Sequence, residues 1–265
     1  MADTFEANKA HFNNVAAQYD SKFEKSLQQL TEAIQSRLDF IGVDWADDED
    51  DDDDEDGDEK DKDAVGQTSQ PANSPRQVRL LDYACGTGMI SRALGPYTTQ
   101  CVGVDISENM VGAYNARAEN QGLTRDDMFA VVGNLAVPDD PRPAALSGPE
   151  FHDFDMAAVG GGFHHFDDPA FAAQRLVERL RPGGVLFIWD FLTHDHFDDH
   201  ASHGVAHHGF SREQVRDIFE SAGAGDNFAL DDLGSGVVFP HGHGHGGQPL
   251  KRRAFVARGE KKKAA

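Results

Sequence analysis

Apolar residues recur at steps of three and four positions along the first part of the chain. The residues with this spacing are Phe12, Val15, Tyr19, Phe23, Leu27 and Leu30. Such spacing brings apolar side chains onto one face of an α-helix, where they can pack against the rest of the protein. The pattern therefore predicts an N-terminal helical region over residues 1–44.

A different pattern begins at residue 78, where short apolar runs alternate with amphipathic segments. The predicted strands cover residues 78–84, 101–105, 129–133, 154–159 and 185–190. The predicted helices between them cover residues 88–94, 108–121 and 170–180. Continuously apolar strands that alternate with helices are typical of a parallel sheet with helices on both faces. We therefore predict a doubly wound α/β domain over residues 78–260.

The last part of this domain is expected to supply one more helix and two more strands. Ser211 and Gln214 have the spacing of a capping box, in which each side chain satisfies a backbone N–H group at the start of a helix. Residues 228–230 and 254–257 are apolar runs that could form the strands. A basic tail follows over residues 261–265.

An acidic insertion separates the helical region from the α/β domain. Residues 47–63 contain fourteen of the 46 acidic residues, and Gly, Gln, Ser, Asn and Pro follow up to residue 77. No apolar face is present there to offset the entropy cost of ordering the backbone. We expect residues 45–77 to form a disordered linker, and the alternative is a docking segment for a basic partner.

Composition excludes several classes of function. The formal net charge of -22 disfavours a nucleic acid as the main partner, because binding to phosphates needs clustered Lys and Arg. Two cysteines are too few for a disulfide scaffold or a four-cysteine zinc module. No apolar run reaches the ~20 residues of a membrane span, and residues 1–10 are too polar for a secretory signal. The expected location is the cytoplasm, with the nucleus as an alternative.

A Gly-x-Gly turn at Gly86 and Gly88 separates the first predicted strand from a helix. Glycines let a ligand approach the backbone, and Asp105 at the end of the second strand can bind a ribose diol. Dinucleotide enzymes use the same device, but Ser91 replaces the third glycine of their motif. Asp82, just before the turn, would repel a diphosphate and favour an ammonium group. S-adenosylmethionine has an ammonium group, a ribose and a sulfonium, and it has no phosphate.

Five segments resemble motifs of the class I S-adenosylmethionine-dependent methyltransferases, in particular the type 11 group that includes the ubiquinone-biosynthesis C-methyltransferases. They are Leu81-Asp-Tyr-Ala-Cys-Gly-Thr-Gly88, Val104-Asp-Ile-Ser-Glu-Asn-Met110, Gly133-Asn-Leu135, Phe163-His-His-Phe-Asp-Asp168 and Leu180-Arg-Pro-Gly-Gly-Val-Leu186. Their order and spacing are those of the family. The resemblance implies a mostly parallel seven-stranded sheet with an antiparallel last strand, and S-adenosyl-L-methionine as cofactor.

The resemblance also implies ten cofactor-binding residues. They are Tyr19, Asp82, Ala84, Gly86, Gly88, Asp105, Ile106, Asn134, Leu135 and Gly160. Asp82 and the backbone of the turn would hold the methionyl end, Asp105 the ribose hydroxyls, and Ile106 the face of the adenine. Asn134 stands where the family usually has Asp, and its amide can accept from the adenine amino group and donate to a ring nitrogen. Residues 12–20, including Tyr19, resemble a family helix that closes over the cofactor as a lid.

The candidate catalytic residues are His164, His165 and Asp190, which follow or end strands at the edge where parallel sheets bind ligands. An imidazole titrates near neutral pH, so both histidines are candidate bases for the acceptor's proton. Adjacent residues of an extended segment point to opposite sides, and we expect His164 to face the pocket and His165 the sheet. In the alternative, both histidines stabilise the loop and proximity alone accounts for catalysis.

Histidines are concentrated in two segments of the second half of the chain. Residues 194–208 contain six of the 13 histidines, and a second tract covers residues 241–245. In a helix, four of the first six would share one face with metal-binding spacing: His196, His200, His203 and His207. Gly204 would weaken that helix, and the acids nearby fit a solvated loop equally well, so we assign no metal. Residues 192–210 occupy the part of the family fold that often forms the acceptor pocket.

The function predicted from these features is methyl transfer to a small-molecule acceptor, through an oxygen, sulfur or carbon nucleophile, by in-line displacement. A protein acceptor is the nearest alternative, because the acidic run could recruit a basic partner. Two other classes stay open: a non-catalytic S-adenosylmethionine-binding scaffold and an NAD-dependent oxidoreductase. Asp82 and Ser91 disfavour the oxidoreductase.

Overall fold

Seven strands form one sheet in the computed structural model, which describes residues 2–46, 76–193, 204–234, 237–239 and 250–263. The strands in chain order are β1 Arg79–Tyr83, β2 Gln100–Asp105, β3 Met128–Val132, β4 Phe154–Gly160, β5 Leu180–Phe191, β6 Asp226–Gly234, β7 Val238–Phe239, β8 Leu250–Lys251 and β9 Ala254–Glu260. The helices are α1 Ala2–Gln35, α2 Leu38–Ile41, α3 Met89–Leu94, α4 Glu108–Asn120, α5 Pro169–Arg179 and α6 Arg212–Ala222. Strands β7 and β8 form a separate pair.

The order of strands across the sheet is β3-β2-β1-β4-β5-β9-β6. Strands β1 to β5 are parallel, and β9 is antiparallel to both β5 and β6. This confirms the predicted mostly parallel seven-stranded sheet with an antiparallel last strand. Between β1 and β4 the order of strands reverses, and such a switch point opens a crevice at the carboxyl ends of the strands. Tyr83 at the end of β1 pairs with Val104 of β2 and with Val159 of β4, so the three strand ends meet at that crevice.

Alternate residues of the central strands feed two hydrophobic cores, one on each face of the sheet. Leu186 and Ile188 of β5 pack with residues of α5 and α6, whereas Phe187 and Trp189 pack with residues of α1 and α3. Burial of apolar side chains on both faces explains why the strands are continuously apolar in sequence. The N-terminal helices are therefore part of the main core in the structure.

The predicted elements are present, with changes at their ends. The capping box at Ser211 and Gln214 is formed and starts α6. Strand β5 begins at Leu180, five residues before the predicted start, because Leu180 pairs with Phe154 across an irregularity in the register. The short β7–β8 pair was not predicted. Most of the predicted linker, residues 47–75, lies outside the described residues. Trp45, at the start of the predicted linker, packs against Tyr97.

Lys261 of the predicted basic tail is attached to the sheet. Its backbone N–H donates to the carbonyl of Gly184, and its Nζ donates to the carbonyl of Leu180.

Within the described part of the chain, none of the helices has the length and apolar character needed to cross a bilayer.

Candidate active site

The glycine loop, residues 84–88, joins β1 to α3 in a left-handed backbone conformation. The φ angles of Ala84, Gly86 and Gly88 are 52°, 52° and 88°. A Cβ atom on Gly88 would lie 2.7 Å from the ring of Tyr114, so only glycine fits there. At Gly86, by contrast, a Cβ atom would meet no atom within 4 Å, and its backbone faces open space. Ala84 has this conformation without being glycine, and such strain is common where a backbone holds a ligand.

Asp105 ties the end of β2 to the glycine loop. Its Oδ2 accepts from the backbone N–H of Gly86 at 2.8 Å, and its Oδ1 accepts from the N–H of Ser107 at 2.8 Å. Burial raises the pKa of Asp105, and these backbone donors oppose the rise by stabilising the charged form. The carboxylate is therefore held in place beside Gly86, and the neighbouring Ile106 is half-buried.

Asp82 lies beneath the glycine loop and is 1% exposed. Its Oδ2 accepts from the Oγ of Ser91 at 2.7 Å and from the N–H of Ser91 at 3.1 Å. Tyr114 in turn donates its hydroxyl to Ser91 Oγ at 2.8 Å. Burial raises the pKa of Asp82 to about 7. The sequence suggested a direct contact with the methionyl end of a cofactor, whereas in the structure the carboxylate fixes the first turn of α3 under the loop.

Asn134 and Tyr83 form the next part of the crevice wall. The Oδ1 of Asn134 accepts from the Tyr83 hydroxyl and from the N–H of Ala136, both at 2.8 Å. The Tyr83 oxygen accepts from the N–H of Leu135 at 3.1 Å. Both contacts use the amide oxygen, and the Nδ2 donor of Asn134 has no partner within the described residues. The expected acceptor role is therefore already used inside the protein, and the donor role is free.

Helix α1 crosses the crevice and is attached on both sides of it. Asp20 accepts from the Thr87 hydroxyl at 2.6 Å and pairs with Arg117 of α4. Seven residues earlier, Asn13 Oδ1 accepts from the Oγ of Ser107 at 2.7 Å. Between these attachments lies Tyr19, whose pKa is raised by burial and then by the charge of Asp105. The helix thus covers the space between the glycine loop and the end of β2.

His164 and Asp190 are brought together from β4 and β5. The Nδ1 of His164 lies 2.8 Å from Oδ1 of Asp190 and 3.1 Å from its Oδ2. The carboxylate is 0% exposed and also accepts from the backbone N–H groups of His164 and Phe191, at 3.0 and 2.7 Å. Three N–H donors therefore satisfy this buried side chain. The histidine and the acid, predicted as separate candidates, thus form one hydrogen-bonded pair.

His165 does not lie on the opposite side from His164, as expected for an extended segment. Residues Phe163–His165 form a 3-10 turn, and the centroids of the two imidazole rings lie 4.2 Å apart. The prediction of opposite directions was wrong, since a helical turn projects successive side chains to neighbouring positions. The Nδ1 of His165 lies 2.9 Å from the carbonyl of Gly204. Burial, and then the neighbouring His164, lower the pKa of His165 to about 3.

A cavity of about 540 Å³ lies between the start of α1 and the segment 204–207. Its lining residues are Thr4, Ala7, Asp167, Gly204, Val205, Ala206 and His207. The segment is tied to His164, because the N–H groups of Ala206 and His207 both donate to the carbonyl of His164 at 3.0 Å. It is tied to His165 through the carbonyl of Gly204. It belongs to the predicted acceptor segment 192–210, of which residues 194–203 lie outside the described residues.

Gly160, at the end of β4, allows close packing of the crevice floor. A Cβ atom there would lie 2.6 Å from Ile90 and 2.8 Å from the indole nitrogen of Trp189.

The described ranges contain no cluster of three or more His, Cys, Asp or Glu side chains that could hold a metal ion. Three of the four histidines considered for a metal, and the tract at residues 241–245, lie outside those ranges.

Sequence reasoning missed the polar attachments of α1, although Asp20 lies in the segment that resembles the family's lid helix. Asn13 and Thr87 were not assigned any role. The partners of Asp20 and Asn13 are 67 to 97 residues away in sequence. A short polar residue on an otherwise apolar helix face was the only available signal, and it does not identify a partner.

The comparisons with known proteins agree with the fold. Residues 81–186 match the family profile described as a methyltransferase domain. An uncharacterized methyltransferase of Schizosaccharomyces pombe is 29% identical over 238 residues, which cover 84% of this chain and 80% of that protein. The ubiquinone biosynthesis O-methyltransferase of Idiomarina loihiensis is 28% identical over 109 residues, 41% of this chain and 40% of its own length.

Two solved structures have a similar fold. The putative methyltransferase in a complex with the Haloferax volcanii Trm112 methyltransferase activator has a TM-score of 0.59 at 16% identity, over 95% of this chain and 97% of that one. The YcgJ protein of Bacillus subtilis has a TM-score of 0.52 at 19% identity, over 71% of this chain and 93% of that one. Residues 81–186 are thus similar to a methyltransferase domain, and the fold of the chain is similar to that of these two solved structures.

Proposed function

We propose that the protein methylates a small-molecule acceptor and that His164, oriented by Asp190, removes the acceptor's proton. The observation that carries this proposal is the buried pair itself, with 2.8 Å between Nδ1 of His164 and Oδ1 of Asp190. A carboxylate that holds Nδ1–H fixes the tautomer of the imidazole and leaves the Nε2 lone pair for a proton. A histidine that only stabilised the loop would not need a buried charged partner.

The residues of the crevice fit the cofactor. Bound S-adenosylmethionine supplies an electrophilic methyl group on a sulfonium. The backbone at Gly86 borders open space, Asp105 presents a fixed carboxylate beside it, and the Nδ2 donor of Asn134 has no partner among the described residues. We assign the ribose hydroxyls to Asp105 and a ring nitrogen of the adenine to Asn134. Tyr19 closes this space from the side of α1.

The acceptor side has to align a nucleophile, exclude water and take up one proton. Helix α1 covers this side, since Phe12 packs edge-on against His165 at 5.3 Å between ring centroids. His164 takes the proton at Nε2, and the charge of Asp190 stabilises the imidazolium that results. An acceptor that must lose a proton, such as a hydroxyl, a thiol or an acidic carbon, requires such a base.

A small molecule is favoured over a protein as acceptor by the size of the cavity next to the proposed base. His164 does not line this cavity, but the segment 204–207, which does, is hydrogen-bonded to the carbonyl of His164. The cavity volume of about 540 Å³ lies in the range of about 300–1,000 Å³ that is typical of small-molecule sites. A protein side chain would have to enter beneath α1. The name of the Idiomarina loihiensis relative, an O-methyltransferase, supports an oxygen acceptor. The acidic run over residues 47–63 is the feature that favours a protein acceptor with basic residues.

Incubation of the purified protein with methyl-labelled S-adenosylmethionine and fractionated cell extract tests the proposal. We expect label in the metabolite fraction with the parent protein, and we expect no labelling of this fraction with the variant His164→Ala. Label in the protein fraction alone would favour the protein methyltransferase. Tight binding of the cofactor with no transfer to any fraction would favour the non-catalytic scaffold.

A further inference from the structure

The side-chain amide of Asn134 has a defined orientation at the end of β3. One of its two polar atoms lies 2.8 Å from the backbone nitrogen of Ala136. A backbone N–H can only donate, so this atom is the oxygen Oδ1, and a flipped amide would place two donors against each other. The other atom, Nδ2, is a donor without a partner within the described residues. Among those residues, the unpartnered polar side-chain atoms that are also shielded from solvent belong to Asn8, Arg175 and Trp189. The Nδ2 of Asn134 is therefore open to a ligand.

Tyr83 uses the second lone pair of the same oxygen. The backbone N–H of Leu135 donates to the Tyr83 hydroxyl at 3.1 Å, and this hydroxyl lies 2.8 Å from Oδ1 of Asn134. Burial raises the pKa of Tyr83 to about 12, so the hydroxyl keeps its proton and donates it to Oδ1. An amide oxygen has two lone pairs, and Ala136 and Tyr83 take one each. One hydroxyl thus occupies both the oxygen of Asn134 and the N–H of Leu135.

These groups lie next to the carboxylate that we assign to the ribose. The N–H of Gly133 donates to the backbone carbonyl of Asp105 at 2.9 Å, and Val132 is the partner of Asp105 in the pairing of β2 with β3. The base of S-adenosylmethionine is bonded directly to its ribose, so a ribose held at Asp105 brings the base close to the end of β3. Asn134, one residue after Gly133, is placed to contact the edge of that base.

We propose that the protein recognises its cofactor through a ring nitrogen of the base and does not recognise the amino group. Asn134 donates from Nδ2 to N1 or N7, the two ring nitrogens that flank the amino group in adenine. Tyr83 is a positioning residue, because it occupies the oxygen that would otherwise accept from the amino group. This inference rests on the proposed function, in which Asp105 and Asn134 hold the cofactor, and it specifies what the base must carry. A site that offers only a donor selects for an acceptor.

Binding of cofactor analogues to the full chain tests the inference by calorimetric titration. The probes are S-adenosylhomocysteine, its 6-deamino analogue, and its 1-deaza and 7-deaza analogues. The 6-deamino analogue keeps both ring nitrogens, and its Kd should lie within about twofold of that of S-adenosylhomocysteine. One of the two deaza analogues should bind about five- to tenfold more weakly, since it lacks the acceptor of one neutral hydrogen bond.

Three results of this titration would overturn the inference. The first is a 6-deamino analogue that binds more weakly than S-adenosylhomocysteine by about fivefold or more, because the amino group would then have an acceptor in the protein. The second is equal affinity for all four compounds, because no ring nitrogen would then be recognised. The third is an absence of binding by S-adenosylhomocysteine, which would also refute the assignment of the cofactor.

Asn134→Asp exchanges the donor for a second acceptor oxygen. Oδ1 keeps its bonds to Ala136 and Tyr83, while the new oxygen accepts from the amino group and repels the lone pair of a ring nitrogen. The variant should bind the 6-deamino analogue about five- to tenfold more weakly than S-adenosylhomocysteine. The matched control is Asn115→Asp, since the amide of Asn115 contacts the backbone of Ala130 in β3 instead. This control should show the pattern of the parent protein. The parent pattern in Asn134→Asp as well, at an unchanged Tm, would contradict the donor role.

Tyr83→Phe tests the positioning role. The ring is kept, the hydroxyl is lost, and the amide of Asn134 is then held by Ala136 alone. The preference for the ring nitrogen should fall to about two- to threefold, because a less firmly held amide gives up part of one hydrogen bond. A purely structural role would lower the affinity for all four compounds by the same factor, and that result would contradict positioning by Tyr83.

Failure of this inference can be separated from failure of the proposed function. If label from S-adenosylmethionine enters the metabolite fraction with His164 dependence but the 6-deamino analogue binds weakly, the function stands and the inference fails. If the analogues follow the expected order of affinity but no acceptor is methylated, the inference stands and the function fails.

Discussion

The two halves of the crevice are built in different ways. The side that we assign to the cofactor, formed by the glycine loop, Asp105 and Asn134, uses backbone groups and side chains at the ends of β1, β2 and β3. The side that we assign to the acceptor, formed by His164, His165, Asp190 and the segment 204–207, joins residues up to 43 positions apart by polar contacts. Helix α1 covers both. The cofactor side is therefore determined by strand ends and one strained loop, and the acceptor side by tertiary packing.

The two sides also differ in what fixes their geometry. A left-handed φ of 88° at Gly88, with Tyr114 filling the space of a side chain, leaves little freedom for the cofactor loop. The acceptor side depends instead on Asp190, a buried carboxyl group that accepts from three N–H donors. Removal of one of these donors leaves the buried group with fewer hydrogen bonds, which costs stability.

The largest expected effect is on the acceptor side. His164→Ala should lower kcat by about 10²–10⁴-fold, as expected for loss of a general base. Binding of S-adenosylmethionine should be unchanged, because the cofactor contacts assigned above do not include His164. Steady-state kinetics and calorimetric titration measure the two quantities separately. An unaltered turnover would assign the histidine to loop stability alone.

Asp190→Asn provides the matched test of the pair. The N–H groups of His164 and Phe191 bond to different oxygens of Asp190, so the single amide oxygen of Asn can accept from only one of them, and the amide carries no charge to stabilise an imidazolium. We expect turnover to fall with cofactor affinity intact. A loss of cofactor affinity in this variant would show that the two sides are not separable.

The second expected effect is on the cofactor side. Asp105→Ala should weaken cofactor binding by about 1–3 kcal/mol, as expected for loss of a charged hydrogen-bond partner. The substitution also frees the N–H groups of Gly86 and Ser107, so the loss should appear in the affinity for S-adenosylhomocysteine as well. Calorimetry with both compounds checks this. Equal affinities in the variant and the parent protein would refute the ribose assignment.

The sequence predicted the cofactor side in more detail than the acceptor side. Gly86, Gly88 and Asp105 form a local pattern that strand periodicity places at the correct edge. The pairing of His164 with Asp190 could not be predicted, since it depends on the register between β4 and β5. The shared direction of His164 and His165 depends on a 3-10 turn that no local signal indicated. Likewise, the burial of Asp82 beneath the loop follows from the packing of α3 and Tyr114.

The third prediction concerns Asp82 and pH. Burial raises its pKa from the usual 3.8 to about 7, so the folded state keeps a proton that the unfolded state has lost in this range. Asp82 therefore favours folding below its unfolded pKa, and this contribution is lost as pH rises towards 7. Asp82→Asn should be more thermally stable than the parent protein at pH 8, with a smaller difference at pH 5. Calorimetric melting at both values provides the measurement, and a constant difference would contradict the buried carboxylate.

The smallest expected effect tests whether α1 retains the cofactor that the two sides share. Asp20→Ala removes the bond to Thr87 and the ion pair with Arg117, and Asn13→Ala removes the bonds to Ser107, Glu108 and Asn109. Each should increase the rate of cofactor release about two- to tenfold, as expected for a few exposed or partly exposed hydrogen bonds. Stopped-flow fluorescence measures this rate. The control is Glu32→Ala, which removes an exposed bond within the same helix. Release that is equally fast in all three variants would mean that helix stability, and not attachment to the crevice, controls retention.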